Sequence, residues 1–445
     1  MSTRIFGPAS GPLIGEIHIP GDKSLSHRAV LFSAMAEGTT RLLGVLDSQD
    51  VRSTIEAVRA LGAHVEMTGE GGCNLAGTVR GWGVNGPRRP AGPIDCGNSG
   101  TTCRMLMGAL AGWPVDVTLT GDESLSKRPM RRIVDPLIDM GASIKTSPEG
   151  TLPVTMLRCA ALRPIEYVSP VASAQVKSAI LLAGLRAVGR TSVTEPVLSR
   201  DHTERLLPIF GIRVEVDAKT MTVSVNGPSI LKAPGEIVVP RDPSSAAFMT
   251  AAALLVPGSR LRLPGVSLNE TRTGFLSVLE RMGADIDVVP FPEATAERVG
   301  EINVRHTPRL VGTTVTSEEV PSLVDEVPIL ALVAALAQGE TRFEGVSELR
   351  VKESDRFSAI VEGLRALGVD ASAEDDTLIV RGGSSLRGAT LDSLNDHRLA
   401  MTWAVAGLVT SQSVVIDRFE AVQVSYPSFA ADLSALSAGG SSPLA

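Results

Sequence analysis

Aromatic side chains are scarce: 10 Phe, 3 Trp and 2 Tyr in 445 residues. So few rings exclude extended base-stacking platforms and aromatic cages, which need several at one place, and favour a small, polar ligand. Cysteine is rarer still. Cys73, Cys96, Cys103 and Cys159 form no CxxC pair, and with six dispersed His they give no zinc-ligand spacing; free thiols and no metal are expected. Positive charge is not in excess either. Forty-two Lys and Arg against 49 Asp and Glu leave a net charge of -7, which excludes nucleic-acid binding through overall charge while allowing a local basic pocket. Long apolar runs such as Val327 to Ala337 and Leu399 to Val409, at 11 residues each, stay well below the roughly 18 that a membrane-crossing helix needs. The opening MSTRIFGPASGP lacks an apolar h-region and a cleavage site. A cytoplasmic protein without a membrane partner is expected.

A composition of 43% hydrophobic and 20% charged residues supports several buried cores, and at roughly 150 residues per domain the length predicts about three domains. Internal repetition argues for a different division. An Ala-rich apolar segment, a Gly or small polar residue and a short alternating strand recur six times, in residues 27–44, 103–121, 176–195, 246–265, 328–345 and 397–416. The turns fall near Gly38, Gly112, Gly189, Gly258, Gly339 and Ser411, at spacings of 74, 77, 69, 81 and 72 residues. A second helix ends at a Gly before a strand in VRALGAHVEM (58–67), IDMGASIKT (138–146), PIFGIRVEV (208–216), ERMGADIDV (280–288) and LRALGVDASA (364–373). The sixth copy of that element, LSALSAGG (433–440), is degraded. Ala and Leu form the helices, a left-handed Gly closes them and β-branched residues follow, so each copy reads as a βαβ-type unit. Its length exceeds that of solenoid repeats, which run about 20 to 50 residues, and compact units grouped into domains fit better.

The residues ahead of the Ala-rich helices are polar and differ from copy to copy: Lys23 and Ser24, Asn98 to Thr101, Ser173 and Gln175, Asp242 to Ser245, Asp325 and Glu326, and Asp396. Each set reads equally as ordinary N-caps or as part of an anion site built from converging helix N-termini. PGDKSLSHR (20–28) follows a short strand and puts Lys23, Ser24 and Arg28 around a first helical turn, a point charge and a fork suited to phosphate or carboxylate. Gly97 and Gly100 in DCGNSGTTCR (95–104) either let a ligand reach backbone N–H groups or make a tight turn. Lys127 and Arg128 stand before a helix-starting Pro, Ser173 and Gln175 offer neutral partners for hydroxyls, and SRDHTE adds Arg200. In ELRVKESDR (348–356), a helix would place Lys352, Glu353 and Arg356 on one face, either a site or a salt-bridge ladder. Asp325 and Glu326 interrupt an apolar run, where acids cost desolvation unless they cap or catalyse, and NDHR (395–398) repeats the combination.

In this order, PGDKSLSHR, GNSGTTCR, KRPM, ASAQVKSA, RDHTE, the Asp325 context and RVKESDR resemble the 5-enolpyruvylshikimate-3-phosphate (EPSP) synthase family of enolpyruvyl transferases over nearly the whole chain. The resemblance implies an α/β, two-domain fold of six repeated units, three per domain, an inside-out α/β barrel. It divides the chain into a discontinuous domain, residues 1–21 plus 240–445, and an inserted domain, 22–239, with a hinge near 21–22 and 239–241. The implied reaction moves the enolpyruvyl group of phosphoenolpyruvate to the 5-hydroxyl of shikimate 3-phosphate without cofactor or metal, in a monomer with no nucleic-acid partner. Such a site must move protons to and from a hydroxyl and a methylene carbon beside a cationic clamp.

By resemblance, Asp325 is the base or hydroxyl-orienting group, and Lys23 and Glu353 are candidates for proton transfer. Lys23, Ser24, Arg28, Ser173, Ala174, Gln175, Arg200, Asp325 and Lys352 form the shikimate 3-phosphate set. Lys23, Asn98, Gly100, Arg128, Gln175, Arg356 and Arg398 form the phosphoenolpyruvate set, with Thr101 and Arg104 nearby. Lobe closure over two anions is implied, which small-angle scattering would read as compaction. Ala174 stands where many members have a second Ser, and Val424 where some carry a Lys. Gly100, in place of the Ala of some tolerant members, implies a pocket that admits glyphosate. The related UDP-N-acetylglucosamine enolpyruvyl transferases use a loop Cys, and the corresponding GDESLSKRPM has none. A non-catalytic phosphometabolite-binding protein is the rival of another class, opposed by Lys23, Asp325 and Glu353. The Ser- and Gly-rich tail, Ser434 to Ala445, is expected to be mobile.

Overall fold

Beyond their first six residues, six helices are apolar or small around their whole circumference, and a helix without a polar face is stable only when surrounded by protein. These are α1 (Lys23–Met35), α2 (Gly100–Leu110), α3 (Ala174–Gly184), α4 (Pro243–Leu255), α5 (Val327–Leu336) and α6 (His397–Val409). In a computed structural model describing residues 2–159, 161–292, 296–383 and 385–437, every residue of α4 except Leu255 is buried, and the other five are nearly as enclosed. Sheets lie outside them. Strands such as Arg260–Ser267 alternate exposed and buried residues over their first half, one face towards the helices and one towards solvent. Among the described residues no helix is long and apolar enough to cross a membrane.

Contacts divide the chain into two units, Met1–Pro20 with Pro240–Ala445, and Gly21–Val239. Gly21, placed in the discontinuous domain by sequence, falls in the inserted unit because its N–H donates to Asn74 Oδ1 there, at 2.8 Å. Within the units, α2, α3, α5 and α6 each connect two parallel strands, as α2 does between Ile94–Asp95 and Val117–Thr120. The strands ahead of α1 and α4 are exchanged. Ile14–Glu16 pairs with Arg260–Ser267 after α4, while Glu236–Val238 pairs with Thr39–Leu46 after α1. That exchange makes one unit discontinuous in sequence.

Five copies continue through a second, surface helix that ends at a glycine. Gly62, Gly141, Gly211, Gly283 and Gly368 have φ between 81° and 99°, a left-handed conformation that a β-carbon penalises. The chain then returns as antiparallel strands, so among the described residues five of the sheets have four strands. The sixth has three, and Arg4–Phe6 from the N-terminus supplies the antiparallel neighbour of Val414–Asp417. The degraded copy is helical over Phe429–Ser437 and buries Leu433 and Leu436. Ser434–Ser437, expected to be mobile, are therefore part of a packed helix, and residues 438–445 lie outside the described residues.

The few aromatics are largely consumed by the two cores. Phe248, Phe275, Phe343, Phe357, Trp403, Tyr426 and Phe429 are buried in the discontinuous unit and Phe32 and Phe210 in the inserted one, the last two edge to face at 5.9 Å.

Candidate active site

In the inserted unit the N-termini of α1, α2 and α3 are tied together by side chains. Asp22 caps α1 by accepting from Leu25 N at 2.8 Å, Ser99 caps α2 through Thr102 N, and Ser173 caps α3 through Val176 N. From α1, buried Arg28 donates to Thr203 Oγ1 at 2.8 Å and to Ser178 Oγ of α3 at 3.0 Å. From α3, Gln175 Nε2 donates to Thr101 Oγ1 of α2 at 3.0 Å. His27 Nδ1 and Thr54 Oγ1 lie 2.7 Å apart, and Thr54 Oγ1 meets Thr102 Oγ1 at 2.6 Å, completing the ring from α1 to α2. Burial, with Lys23 and Arg28 beside it, pushes the His27 pKa well below the ordinary histidine value, so the ring is neutral. Three helix N-termini with their partial positive charge thus meet in one unit.

Around them stand the predicted residues. Lys23 Nζ is 3.3 Å from Asp50 Oδ2. Asn98 donates to Asp122 Oδ2 at 2.7 Å and accepts from Arg128 Nη2 at 2.7 Å. Arg104 donates to Gln175 Oε1 at 2.6 Å. A β-carbon on Gly100 would lie 3.2 Å from Arg104 Nη1 and 3.5 Å from Arg128 Nη1, so two guanidiniums flank this glycine. Ser24 and Ala174 occupy the first turns of α1 and α3, and half-buried Arg200 precedes the short helix His202–Leu206 that carries Thr203. Lys127, next to Arg128 in sequence, points elsewhere, pairing at the surface with Glu123 at 2.6 Å.

The discontinuous unit repeats this construction with acids. Asp242 caps α4 and Asp396 caps α6. Ser244 Oγ of α4 donates to Glu326 Oε1 at the start of α5, and that oxygen lies 3.2 Å from Arg398 Nη1 of α6. Asp325 faces three cations: Arg356 Nη1 at 3.1 Å, Arg398 Nη2 at 3.4 Å and Lys352 Nζ at 4.0 Å. Arg356, only 1% exposed, also reaches Glu353 at 2.6 Å and Asp396 at 2.7 Å. Burial opposes the charge on Arg356, but Asp396, Glu353 and Asp325 more than offset it and hold the guanidinium protonated.

The helical face expected over 348–356 does not form. Ser347–Val351 is a 3-10 turn, Asp355 caps a new helix beginning at Arg356, and Lys352 and Glu353 lie on the link between them. Asp355 competes for the backbone N–H groups, accepting from Ser358 N at 3.1 Å, and breaks the helix before its face can form. Lys352 still reaches back to Glu348 at 2.6 Å, the ladder contact. Past the break, Lys352 and Arg356 both face Asp325, and Glu353 pairs with Arg356. Val424 ends the 3-10 turn Phe419–Val424 and brings no charge.

Sequence reading missed Asp50, Thr54, Ser178 and Thr203. Asp50 had a readable signal, as an acid in the first turn of a helix. The hydroxyls had none, because Ser and Thr on helices are usually exposed.

A family model for EPSP synthase (3-phosphoshikimate 1-carboxyvinyltransferase) matches residues 8–433. The chain belongs to this family. Among EPSP synthase relatives, the 3-phosphoshikimate 1-carboxyvinyltransferase of Paracoccus denitrificans is 48% identical over 423 residues, 94% of each chain. That of Bacillus cereus is 45% identical over 436 residues, 98% of this chain and 100% of the relative. The solved EPSP synthase of Acinetobacter baumannii aligns with a TM-score of 0.87 at 40% identity over 98% of both chains. An enolpyruvyl transferase from Streptomyces tendae, with a TM-score of 0.78 but 20% identity over 98% and 97% of the two chains, shares the fold.

Proposed function

We propose that Lys23, Asp325 and Glu353 move the protons in the reaction this chain performs, transfer of the enolpyruvyl group of phosphoenolpyruvate to the 5-hydroxyl of shikimate 3-phosphate, which releases phosphate and serves the shikimate pathway. The observation that carries the reading is Asp325 held within 3.1 to 4.0 Å of Arg356, Arg398 and Lys352. An acceptor for a hydroxyl proton beside a cationic clamp is what the chemistry requires. Asp325 orients and deprotonates the 5-hydroxyl as its oxygen attacks C2 of phosphoenolpyruvate. The methylene carbon gains a proton, and the tetrahedral adduct then loses phosphate and a methyl proton. Glu353 and Lys23 exchange these protons.

Ser24, Arg28, Ser173, Ala174, Gln175, Arg200 and Lys352, with Lys23 and Asp325, hold shikimate 3-phosphate. Asn98, Gly100, Arg128, Gln175, Arg356 and Arg398, with Lys23, hold phosphoenolpyruvate. The N–H groups of α1, α2 and α3 add partial positive charge at the positions that carry these side chains. The chain acts in the cytoplasm, where its four cysteines stay free thiols, and as a monomer, which sedimentation at 46.6 kDa would confirm. Phosphate release from phosphoenolpyruvate, assayed separately with shikimate 3-phosphate and with UDP-N-acetylglucosamine, tests the whole reading. Release is expected only with the first, and release with the UDP-sugar alone or with neither would overturn it.

Gly100 gives a narrower test. In Gly100→Ala the atoms nearest the new methyl are the guanidinium ends of Arg104 and Arg128, which can shift, so the fold survives while the anion pocket narrows. Glyphosate, admitted beside Gly100, should lose affinity by about tenfold or more, with a smaller rise in KM for phosphoenolpyruvate. Equal changes in the two constants would show that the methyl does not discriminate.

A further inference from the structure

α3 is apolar along its buried length except for Lys177 and Ser178. The Lys177 side chain is 1% exposed, and its Nζ lies 2.7 Å from Glu195 Oε2 and 2.6 Å from Glu204 Oε1, carboxylates themselves 2% and 5% exposed. Burial alone would lower the Lys177 pKa, but Glu204 and Glu195 outweigh it and raise the value; for Glu204, burial prevails over Lys177 and raises its pKa. Three ionisable groups in a dry interior are a poor way to stabilise a fold, because apolar residues of the same volume commonly do as well. Their placement indicates another role.

We infer that Lys177, Glu195 and Glu204 form a buried ionic strap that positions the shikimate-phosphate residues of the inserted unit. The inference rests on the assignment of Ser173, Arg200 and Arg28 to that substrate. Glu195 Oε1 accepts from Ser173 N at 2.9 Å, holding the residue that caps α3 and leads into Ala174 and Gln175. Glu195 Oε2 accepts from Ser199 Oγ at 2.8 Å and from Ser199 N at 3.3 Å, fixing the residue before Arg200. Glu204 sits on the five-residue helix His202–Leu206 beside Thr203, whose Oγ1 accepts from Arg28 Nε at 2.8 Å and lies 2.7 Å from Ser178 Oγ. A helix this short has little stability of its own. One ammonium therefore ties α3, which begins after Ser173, to residues 195–206, a stretch that carries Arg200 and, through Thr203, holds Arg28 of α1. None of the three strap residues touches substrate; they act through the groups they hold.

The test is a KM split. Glu195→Gln keeps the side-chain shape but removes the charge that Lys177 and the two N–H groups share. It should raise KM for shikimate 3-phosphate by about tenfold or more while KM for phosphoenolpyruvate stays within about threefold. Glu204→Gln, which leaves the Ser173 and Ser199 contacts in place, should shift the same constant less and decides the matter if Glu195→Gln does not fold. Folded variants with unchanged KM for shikimate 3-phosphate, or with both KM values rising together as the thermal midpoint falls, would overturn the strap. Ser173→Ala and Arg200→Ala separate the two levels. If they raise KM for shikimate 3-phosphate and the strap variants do not, the strap alone fails; if they leave it unchanged, the substrate assignment fails and the strap with it.

Discussion

Asp325→Asn should lower kcat by about 10²- to 10⁴-fold, the range for losing a positioned general base, with KM for either substrate changing far less. Asparagine has the shape of aspartate and can still accept from Arg356 Nη1, now 3.1 Å from Asp325 Oδ1. The surrounding cations keep other partners, Glu353 and Asp396 for Arg356, Glu326 for Arg398 and Glu348 for Lys352. The architecture should therefore persist while the acceptor for the hydroxyl proton is lost. Phosphate release at saturating concentrations of both substrates reads the effect. A kcat within about threefold of the parent would remove Asp325 from the proton path and leave it as one more partner of the arginines.

Arg356→Met should strongly destabilise the discontinuous unit. The guanidinium is 1% exposed and neutralises Asp396 at 2.7 Å, Glu353 at 2.6 Å and Asp325 at 3.1 Å. Asp396, fully buried, cannot turn to water. Removing one partner of a buried ion pair costs about 3–5 kcal/mol, and for a cooperative unit of 150–250 residues each kcal/mol lowers Tm by roughly 2–4 °C. A fall of roughly 6–20 °C follows, measured by calorimetry, together with a raised KM for phosphoenolpyruvate. Arg356→Lys should recover part of the stability, because it restores the charge without the planar fork. Lys127→Ala is the comparison, since Lys127 and Glu123 are 74% and 87% exposed and form an ordinary surface pair. A Tm loss for Arg356→Met no larger than for Lys127→Ala would mean that the acids around it find other compensation.

Much of this was readable because it is local. Apolarity around the full turn past the polar starts of α1 to α6 requires them to be enclosed, and a glycine after each of five second helices marks the left-handed exit that closes it. PGDKSLSHR puts Lys23, Ser24 and Arg28 at one helix start wherever that helix lies. The reading of 348–356 failed for an equally local reason: Lys, Glu and Arg at helical spacing suggest a face, but Asp355 is a better cap than an interior residue. Lys177 carries a readable signal of its own. A lysine inside an apolar helix with no acid within a turn must find a buried partner elsewhere, although its sequence neighbours do not identify Glu195 or Glu204.

The sequence by itself determined the six-fold repetition, the enclosure of the helices and the polar residues at each helix start, because these follow from side-chain periodicity and capping over a few residues. Only the tertiary structure decided which strand completes which sheet. Ile14–Glu16 bypasses the helix that follows it to pair with Arg260–Arg262, and Glu236–Val238 returns to Arg41–Leu43, pairings whose hydrogen bonds are backbone groups common to every residue. The tertiary structure likewise decided that Asp325, Arg356 and Arg398 share one cluster and that Lys177 of α3 meets Glu195 and Glu204. Such contacts are specified by the packing of whole units, and the spacing of any one motif does not contain them.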